Sequence, residues 1–183
     1  MNSTQQTAEK QKATRDPVVS KIIFDDKWRK DGKEPIYMVA ALMINEGNIE
    51  EIIAFKNKET GLYELIGGKR NNEDLHDKQT LDREFKQELG IAPPIIGEIF
   101  GIYPIQEIRG VNGEKKEIIR VFDVIYIEDY GELPEKPIDK KYSEKGLINC
   151  LGYNSRNDLS FLTARVCEDY SIRLKREGYK FKS

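Results

Sequence analysis

The sequence predicts a single α/β domain, and three features carry this prediction. Residues 36–44 (IYMVAALMI) form a nearly continuous apolar run, which is typical of a central strand buried on both faces. Asn112-Gly113, between two apolar stretches, is the strongest hairpin signal in the chain. Residues 77–89 and 158–177 carry apolar side chains at helical spacing. Strands and amphipathic helices together indicate helices packed on a sheet.

Composition excludes several classes of protein. The 183 residues fit one domain, which we expect over 17–183. Residues 1–16 are polar and lack apolar periodicity, so we expect them to form a disordered tail. The net charge of -2 argues against a nucleic-acid binder. No apolar run approaches the roughly 20 residues that span a bilayer. Cys150 and Cys167 lie in apolar surroundings, which favours small core residues in a reducing cytoplasm over a disulfide or metal pair.

The remaining elements follow in chain order from apolar runs and turn residues. The final helix is expected to begin at a cap formed by Asn157 or Asp158. A loop with several acids is expected over 128–144, and long loops of this kind are often functional. The predicted strands are 18–24, 36–44, 49–55, 63–66, 95–108 with an interruption at Pro104, 117–127 and 147–153.

The helix predicted over 77–89 follows a pair of glycines and a polar loop. Asp74 or Asp77 can accept hydrogen bonds from its first turn, and Gly90 suits a left-handed cap at its end. Three apolar residues recur at every fourth position and form one buried stripe: Leu81, Phe85 and Leu89.

Glu84 and Glu88 share a second face of this helix, because they are four residues apart. Like charges at this spacing are mildly destabilising. One interpretation is a solvated face with counter-charge from nearby basic residues. The other is a site for Mg²⁺, which takes one or two carboxylates together with phosphates and water. Gly67 and Gly68 favour the second, because a backbone without Cβ atoms can approach a ligand closely.

At these residues the chain resembles the Nudix box, through Gly68, Arg83-Glu84, Glu88, Gly90 and Ile91. The resemblance implies an α/β/α sandwich with a mixed sheet. It also implies hydrolysis of a diphosphate linked to another group, with Mg²⁺ or Mn²⁺ as cofactor. Glu84, Glu88 and the Gly67 carbonyl then become metal ligands. Arg83 becomes the catalytic residue that positions Glu84 by a charge-assisted hydrogen bond.

The chain departs from the box at three places. The loop before Arg83 is one residue longer, so the acid of the first half is Asp74, counted from Gly68, or Glu73, counted from Gly67. Gln87 replaces a glutamate, and an amide keeps an oxygen but loses the charge. Phe85 replaces an aliphatic residue and still buries apolar area.

Further site residues are expected around this helix. A carboxylate on the 128–144 loop can take the proton from water, and Glu144 is the first candidate, with Glu132 and Glu135 as alternates. Lys69 and Arg70 directly follow Gly68, and we expect these three residues to hold phosphate. The alternative is that the two cationic side chains are solvated loop residues.

The resemblance also bears on the substrate and the assembly. Pro104 and the strand region before residue 36 resemble features of the hydrolases of ADP-ribose and nucleoside diphosphate sugars. This resemblance implies a small-molecule nucleotide substrate and a possible homodimer. A nucleoside triphosphate pyrophosphohydrolase is the alternative. Gln87 and the longer loop keep a third hypothesis open, a domain that binds a nucleotide without cleaving it.

Overall fold

The computed structural model describes residues 19–22, 35–111, 114–152 and 156–178. The predicted tail over 1–16 and the turn at Asn112-Gly113 lie outside the described residues. The strands are β1 Val19–Ile22, β2 Ile36–Ile44, β3 Glu51–Asn57, β4 Tyr63–Glu64, β5 Gly67–Lys69, β6 Ile95–Val111, β7 Glu114–Asp129 and β8 Tyr142–Asn149.

In the described part of the chain these eight strands form one mixed sheet. The order is β1-β6-β7-β2-β3-β4, with β5 paired to β2 and β8 paired to β3. Only the β2–β7 pair is parallel among these ladders. The prediction of a mixed sheet in an α/β fold is confirmed.

Strand β2 is the centre of the sheet, as its apolar run predicted. One edge pairs with β7 from Ile36 to Met43. The other edge is shared, because β3 pairs with its last residues and β5 pairs with Met38, Val39 and Ala40. The predicted strand over 63–66 is therefore wrong in its bounds, since the chain forms β4, leaves the ladder and returns as β5. This return places Gly67 and Gly68 inside the sheet, opposite Ala40 and Val39.

The predicted interruption at Pro104 is wrong as well. Pro104 lies within β6 and pairs with Val121, and the irregularities of this strand fall between Ile95 and Gly101. Strand β1 pairs with β6 from Ile105 onwards, so Pro104 lies just beyond that ladder. Prolines within sheets are confined to positions where a neighbouring strand does not need their N–H.

Two helices of the described residues cover the sheet. Helix α1, Asp77–Glu84, continues through a π-helical turn, Phe85–Leu89, and Gly90 closes it with a φ of 73°, so the predicted bounds are confirmed. The predicted side-chain cap is wrong, because the N-cap residue is His76 and its side chain makes no capping bond. Helix α2, Phe161–Arg176, begins at Ser160, whose Oγ accepts from the Thr163 N–H at 3.3 Å, rather than at Asn157 or Asp158.

The two helices bury opposite faces of the sheet, which makes an α/β/α sandwich. Alternate residues of β2 point to the two sides, as strand geometry requires. The first core joins Val39, Ala41 and Met43 to the predicted stripe Leu81, Phe85 and Leu89. The second core joins Ala40 and Leu42 to α2 and contains Cys150 and Cys167, which are free, fully buried thiols as predicted. No helix of the described residues is long and apolar enough to cross a membrane.

Candidate functional site

Helix α1 brings both of its face glutamates against the glycine bend. Glu84 and Glu88 are buried, with 8% and 6% of their surface exposed. Gly68 lies directly beneath the Glu84 carboxylate, so a Cβ at this position would overlap Oε1. Gly67 is equally constrained, because a Cβ there would overlap the Val39 carbonyl oxygen. A solvated charged face, the alternative interpretation of the two glutamates, is excluded by this burial.

Arg83 ties the helix to the loop that precedes it. Its Nη1 donates to Glu84 Oε1, and its Nη2 donates to the Lys69 carbonyl at 2.9 Å and to Asp74 Oδ2 at 3.2 Å. Asp74 Oδ2 also accepts from the Asn71 N–H and the Thr80 hydroxyl, each at 2.9 Å. The Asn71 N–H is the main cause of the lowered pKa of Asp74. Asp74, rather than the exposed Glu73, is thus the loop acid that contacts helix α1.

Glu88 is held by residues that the sequence did not single out. The Tyr142 hydroxyl donates to Glu88 Oε1 at 3.2 Å, and Lys141 Nζ lies 3.7 Å from the same oxygen. Glu88 Oε2 is buried and has no hydrogen-bond partner among the described residues. Burial raises the pKa of Glu88 to about 7, against the lowering effect of Lys141, and the neighbouring Glu84 raises it further.

Glu64 is the third carboxylate near this centre. Lys141 Nζ lies 3.4 Å from Glu64 Oε2 and so bridges Glu64 to Glu88. Asn57 Nδ2 donates to both Glu64 oxygens at 3.1 Å. Glu64 precedes Gly67 by three residues, and this closeness in the sequence could have identified Glu64 as a candidate site residue. Lys141 and Tyr142 carry no such local signal, because β8 and its preceding loop reach the site only through pairing with β3.

Glu144 does not join this group. It lies in β8 rather than in a loop, which corrects its expected location. Its carboxylate accepts from the Tyr63 hydroxyl at 2.9 Å and lies 3.4 Å from Lys56 Nζ. The register is irregular between the pairs that β3 makes with Lys145 and Tyr142. Because of this irregularity Tyr142 faces Glu88, whereas Glu144 lies with Tyr63 on the opposite face of the strand.

The other expected residues are spread around the rim. Glu135 is largely exposed and pairs with Lys145 at 2.7 Å, and Gln87 points to solvent from α1. Arg70 is occupied by its own loop, since Nη2 donates to the Leu75 carbonyl at 3.0 Å and Nη1 lies 3.4 Å from Asp77. Lys69 is exposed beside Gly68. Of the two cations expected to hold phosphate, Lys69 is therefore the one whose side chain is not used to hold the loop.

A cavity of about 320 Å³ opens beside the glycine bend, on the α2 side of the sheet. Gly67, Glu64 and Lys141 line it where it meets the carboxylates, and much of the remaining wall is apolar. Cavities of this size, largely apolar with a few polar groups, are the usual form of small-molecule sites.

The residues present fit one hard divalent cation. Among the described residues no three His, Cys, Asp or Glu side chains come together as a metal cluster. Two carboxylates and one backbone carbonyl, completed by water and phosphate, are nevertheless a usual donor set for Mg²⁺. Two observations support this fit: Glu88 Oε2 has no hydrogen-bond partner among the described residues, and the Glu84 carboxylate lies against Gly68 in space that a Cβ would fill.

The same architecture occurs in solved structures. A NUDIX hydrolase from Nitrosomonas europaea matches over 82% of this chain and 100% of its own, with a TM-score of 0.52 and 16% identity. The chain has the Nudix fold. The NUDIX domain of Shewanella oneidensis NrtR, complexed with ADP ribose, matches over 79% of this chain and 92% of its own, with a TM-score of 0.50 and 16% identity.

A third solved structure with this fold is the Escherichia coli dihydroneopterin triphosphate pyrophosphohydrolase. It covers 77% of this chain and 99% of its own, with a TM-score of 0.52 and 8% identity. No family model matches the sequence, and neither does any curated protein. At these identities the likeness establishes the Nudix fold, and the activity has to be argued from the site.

Proposed function

We propose that this protein is a hydrolase of phosphoanhydride bonds that requires Mg²⁺, with Mn²⁺ as a substitute. The observation that carries the proposal is the pair Glu84 and Glu88, two buried carboxylates one helical turn apart against a glycine bend. Burying two acids side by side is unfavourable without a compensating cation. The Nudix fold, which the solved structures share, supports the same reading.

Glu84, Glu88 and the Gly67 carbonyl would hold the metal. When bound, the cation supplies charge neutralisation at the phosphate oxygens and acidifies a water. Arg83 fixes the Glu84 carboxylate through a charge-assisted hydrogen bond and is itself fixed by Asp74 and the Lys69 carbonyl. Tyr142 orients Glu88 in the same way.

The base that takes the proton from water is, in this proposal, Glu64 rather than Glu144. Glu64 lines the cavity next to Gly67, and Lys141 links it to Glu88. Glu144 is held by Tyr63 and Lys56 on the opposite face of β8. A general base must lie within hydrogen-bond reach of the proton that it abstracts, or one water away, and of Glu64 and Glu144 it is Glu64 that lines the cavity.

The proposed substrate is a nucleoside diphosphate linked to a second group, such as ADP-ribose or a nucleotide sugar. Lys69 and the backbone of Gly68 would contact the phosphates. The cavity beside Gly67 supports this class, because it offers an apolar space next to the proposed point of cleavage. A nucleoside triphosphate pyrophosphohydrolase is the alternative, since a solved structure of this fold carries that type of name.

A second candidate function is nucleotide binding without hydrolysis. Gln87 favours it, because this position, an acid in the box, carries an uncharged and exposed amide here. A Nudix domain complexed with ADP ribose, that of NrtR, lies among the solved structures with this fold. The buried, free thiols of Cys150 and Cys167 support a cytoplasmic location for either function.

The deciding experiment measures product release with Mg²⁺ from a panel of nucleoside diphosphate sugars, ADP-ribose and nucleoside triphosphates. Glu84→Gln and Glu88→Gln should each lower turnover about 100- to 1,000-fold. Asp82→Asn is the matched control, because Asp82 lies on the solvent side of the same helix and pairs with Lys78. Binding of a nucleotide without any turnover by the wild type would replace the hydrolase with the binding domain.

A further inference from the structure

Each of the two proposed metal ligands has a cationic side chain beside it, and the two cations are held very differently. Arg83 donates to Glu84 from Nη1, and its Nη2 donates to two further acceptors. Lys141 lies beside Glu88, with its Nζ 3.7 Å from Oε1. The Lys141 side chain is 41% exposed, compared with 26% for Arg83. Arg83 therefore belongs to the fixed frame of the site, whereas Lys141 is loosely held at its edge.

The Lys141 ammonium is shared among three side chains. It donates to the Tyr142 hydroxyl at 2.7 Å and lies 3.4 Å from Glu64 Oε2. Its separations from the Glu64 and Glu88 carboxylates are longer than the roughly 2.7–2.9 Å of a charge-assisted hydrogen bond. The ammonium is therefore attracted to Glu88 without being hydrogen-bonded to it.

The Lys141 backbone, by contrast, is fixed at both of its polar groups. Its N–H donates to Asp139 Oδ1 at 2.7 Å, and its carbonyl accepts from the Lys58 N–H at 2.8 Å. A flexible four-carbon stem separates this anchored backbone from the ammonium. The side chain also lines the cavity beside the glycine bend. The ammonium can therefore move between Glu88 and the cavity without any change in the fold.

We infer that Lys141 competes with the divalent cation for Glu88 and so lowers the affinity of the site for metal. The inference rests on the proposed function, because it concerns the same metal site. A cation bound to Glu88 through either oxygen would face the ammonium at close range, and like charges repel. A divalent ion carries twice the charge of the ammonium and takes carboxylate oxygens directly as ligands. The loosely held ammonium is therefore the partner that gives way.

Competition and a purely structural role predict opposite changes when the charge is removed. If the ammonium only holds Glu88 in place, Lys141→Met should bind Mn²⁺ more weakly than the wild type. Under competition, Lys141→Met should bind Mn²⁺ about 10-fold more tightly, a modest gain because solvent screens the repulsion at this partly exposed position. Lys141→Arg keeps the charge and should stay closer to the wild type than Lys141→Met does. Electron paramagnetic resonance of free Mn²⁺, without nucleotide, measures these affinities.

Lys145→Met is the matched control, because it removes the same charge from β8, where the ammonium pairs with Glu135 at 2.7 Å. Its affinity for Mn²⁺ should equal that of the wild type. Circular dichroism checks that each variant is folded. Should Lys141→Met unfold, Lys141→Gln takes its place, because it also removes the charge and keeps a polar end.

Three results would overturn the inference: unchanged or weaker Mn²⁺ binding by the folded Lys141 variant, an equal gain in Lys145→Met, or no Mn²⁺ binding by the wild type. Turnover on the substrate panel separates this inference from the proposed function. Unchanged Mn²⁺ affinity in a protein that hydrolyses one of the substrates would remove the competition and leave the hydrolase standing. Tighter Mn²⁺ binding by Lys141→Met, without any turnover by the wild type, would remove the hydrolase and leave the competition standing.

Discussion

Replacing Glu88 with glutamine should make the metal-free protein more stable at neutral pH. The carboxylate is buried, and its pKa is raised from 4.5 to about 7. Below the pKa of the unfolded state, the carboxyl group is protonated in both states and does not change the free energy of unfolding. As the pH rises from the pKa of the unfolded state through that of the folded state, the unfolded chain ionises more readily than the folded one. The folded state therefore loses stability over this range. Glutamine keeps the shape and has no proton to lose.

The size of the effect follows from the shift. One pKa unit corresponds to about 1.4 kcal/mol, so a rise from 4.5 to about 7 costs the folded state up to about 3 kcal/mol above pH 7. This shift already includes the attraction to Lys141, which lies 3.7 Å away, and glutamine changes the hydrogen bond with Tyr142, so the net gain is expected at about 1–3 kcal/mol. For a domain of this size that is roughly 2–10 °C in Tm.

Urea unfolding of the wild type and Glu88→Gln at pH 5, 6, 7 and 8 in EDTA measures this effect. The stability difference between the two proteins should grow with pH in favour of the variant. Adding Mg²⁺ should stabilise the wild type and reverse the order, because a cation that binds only the folded state adds free energy. A difference that stays constant from pH 5 to pH 8 would show that Glu88 is not a strained, ionisable acid. A variant that responds to Mg²⁺ as the wild type does would remove Glu88 from the proposed metal site.

Three further predictions concern the same centre. Gly68→Ala should lower hydrolysis about 100-fold in a steady-state assay while circular dichroism stays unchanged, because its Cβ displaces the Glu84 carboxylate. Tyr142→Phe should weaken Mn²⁺ binding about 10-fold by calorimetry, because the hydroxyl orients Glu88. Phe85→Ala should cost about 3–5 kcal/mol in urea unfolding, because its fully buried ring leaves a cavity; a loss below 1 kcal/mol would contradict the packing described.

Local features of the sequence predicted helix α1 well. Its bounds, its buried stripe and its C-terminal glycine follow from spacings of three or four residues, and these are set within the helix itself. The N-terminal cap was predicted wrongly for an equally local reason. Asp74 or Asp77 was expected to cap the helix, but the Asp74 carboxylate is bound by the Thr80 hydroxyl and by Arg83, about one and two turns into the helix.

Long-range pairing explains what the sequence could not show. Lys141 and Tyr142 reach Glu88 because β8 pairs with β3, and a register irregularity between Lys145 and Tyr142 decides which side chains face the helix. Without that irregularity, strict alternation would put Tyr142 and Glu144 on the same face. A one-residue shift in a strand exchanges its faces, so the expected role of Glu144 depended on a feature that leaves no mark in composition or spacing.

The energetics of the site argue for a bound cation better than any single contact does. Glu88 has one oxygen held by Tyr142 and another that is buried without a partner among the described residues. Lys141 lies within ion-pairing distance, but it is shared with Glu64 and is 41% exposed, so it compensates only part of the charge. An apolar side chain of similar volume would be cheaper in a purely structural role. The carboxylate is therefore best explained by a partner that binds it more strongly than an ammonium group does, and the reversal of stability by Mg²⁺ in Glu88→Gln tests that explanation directly.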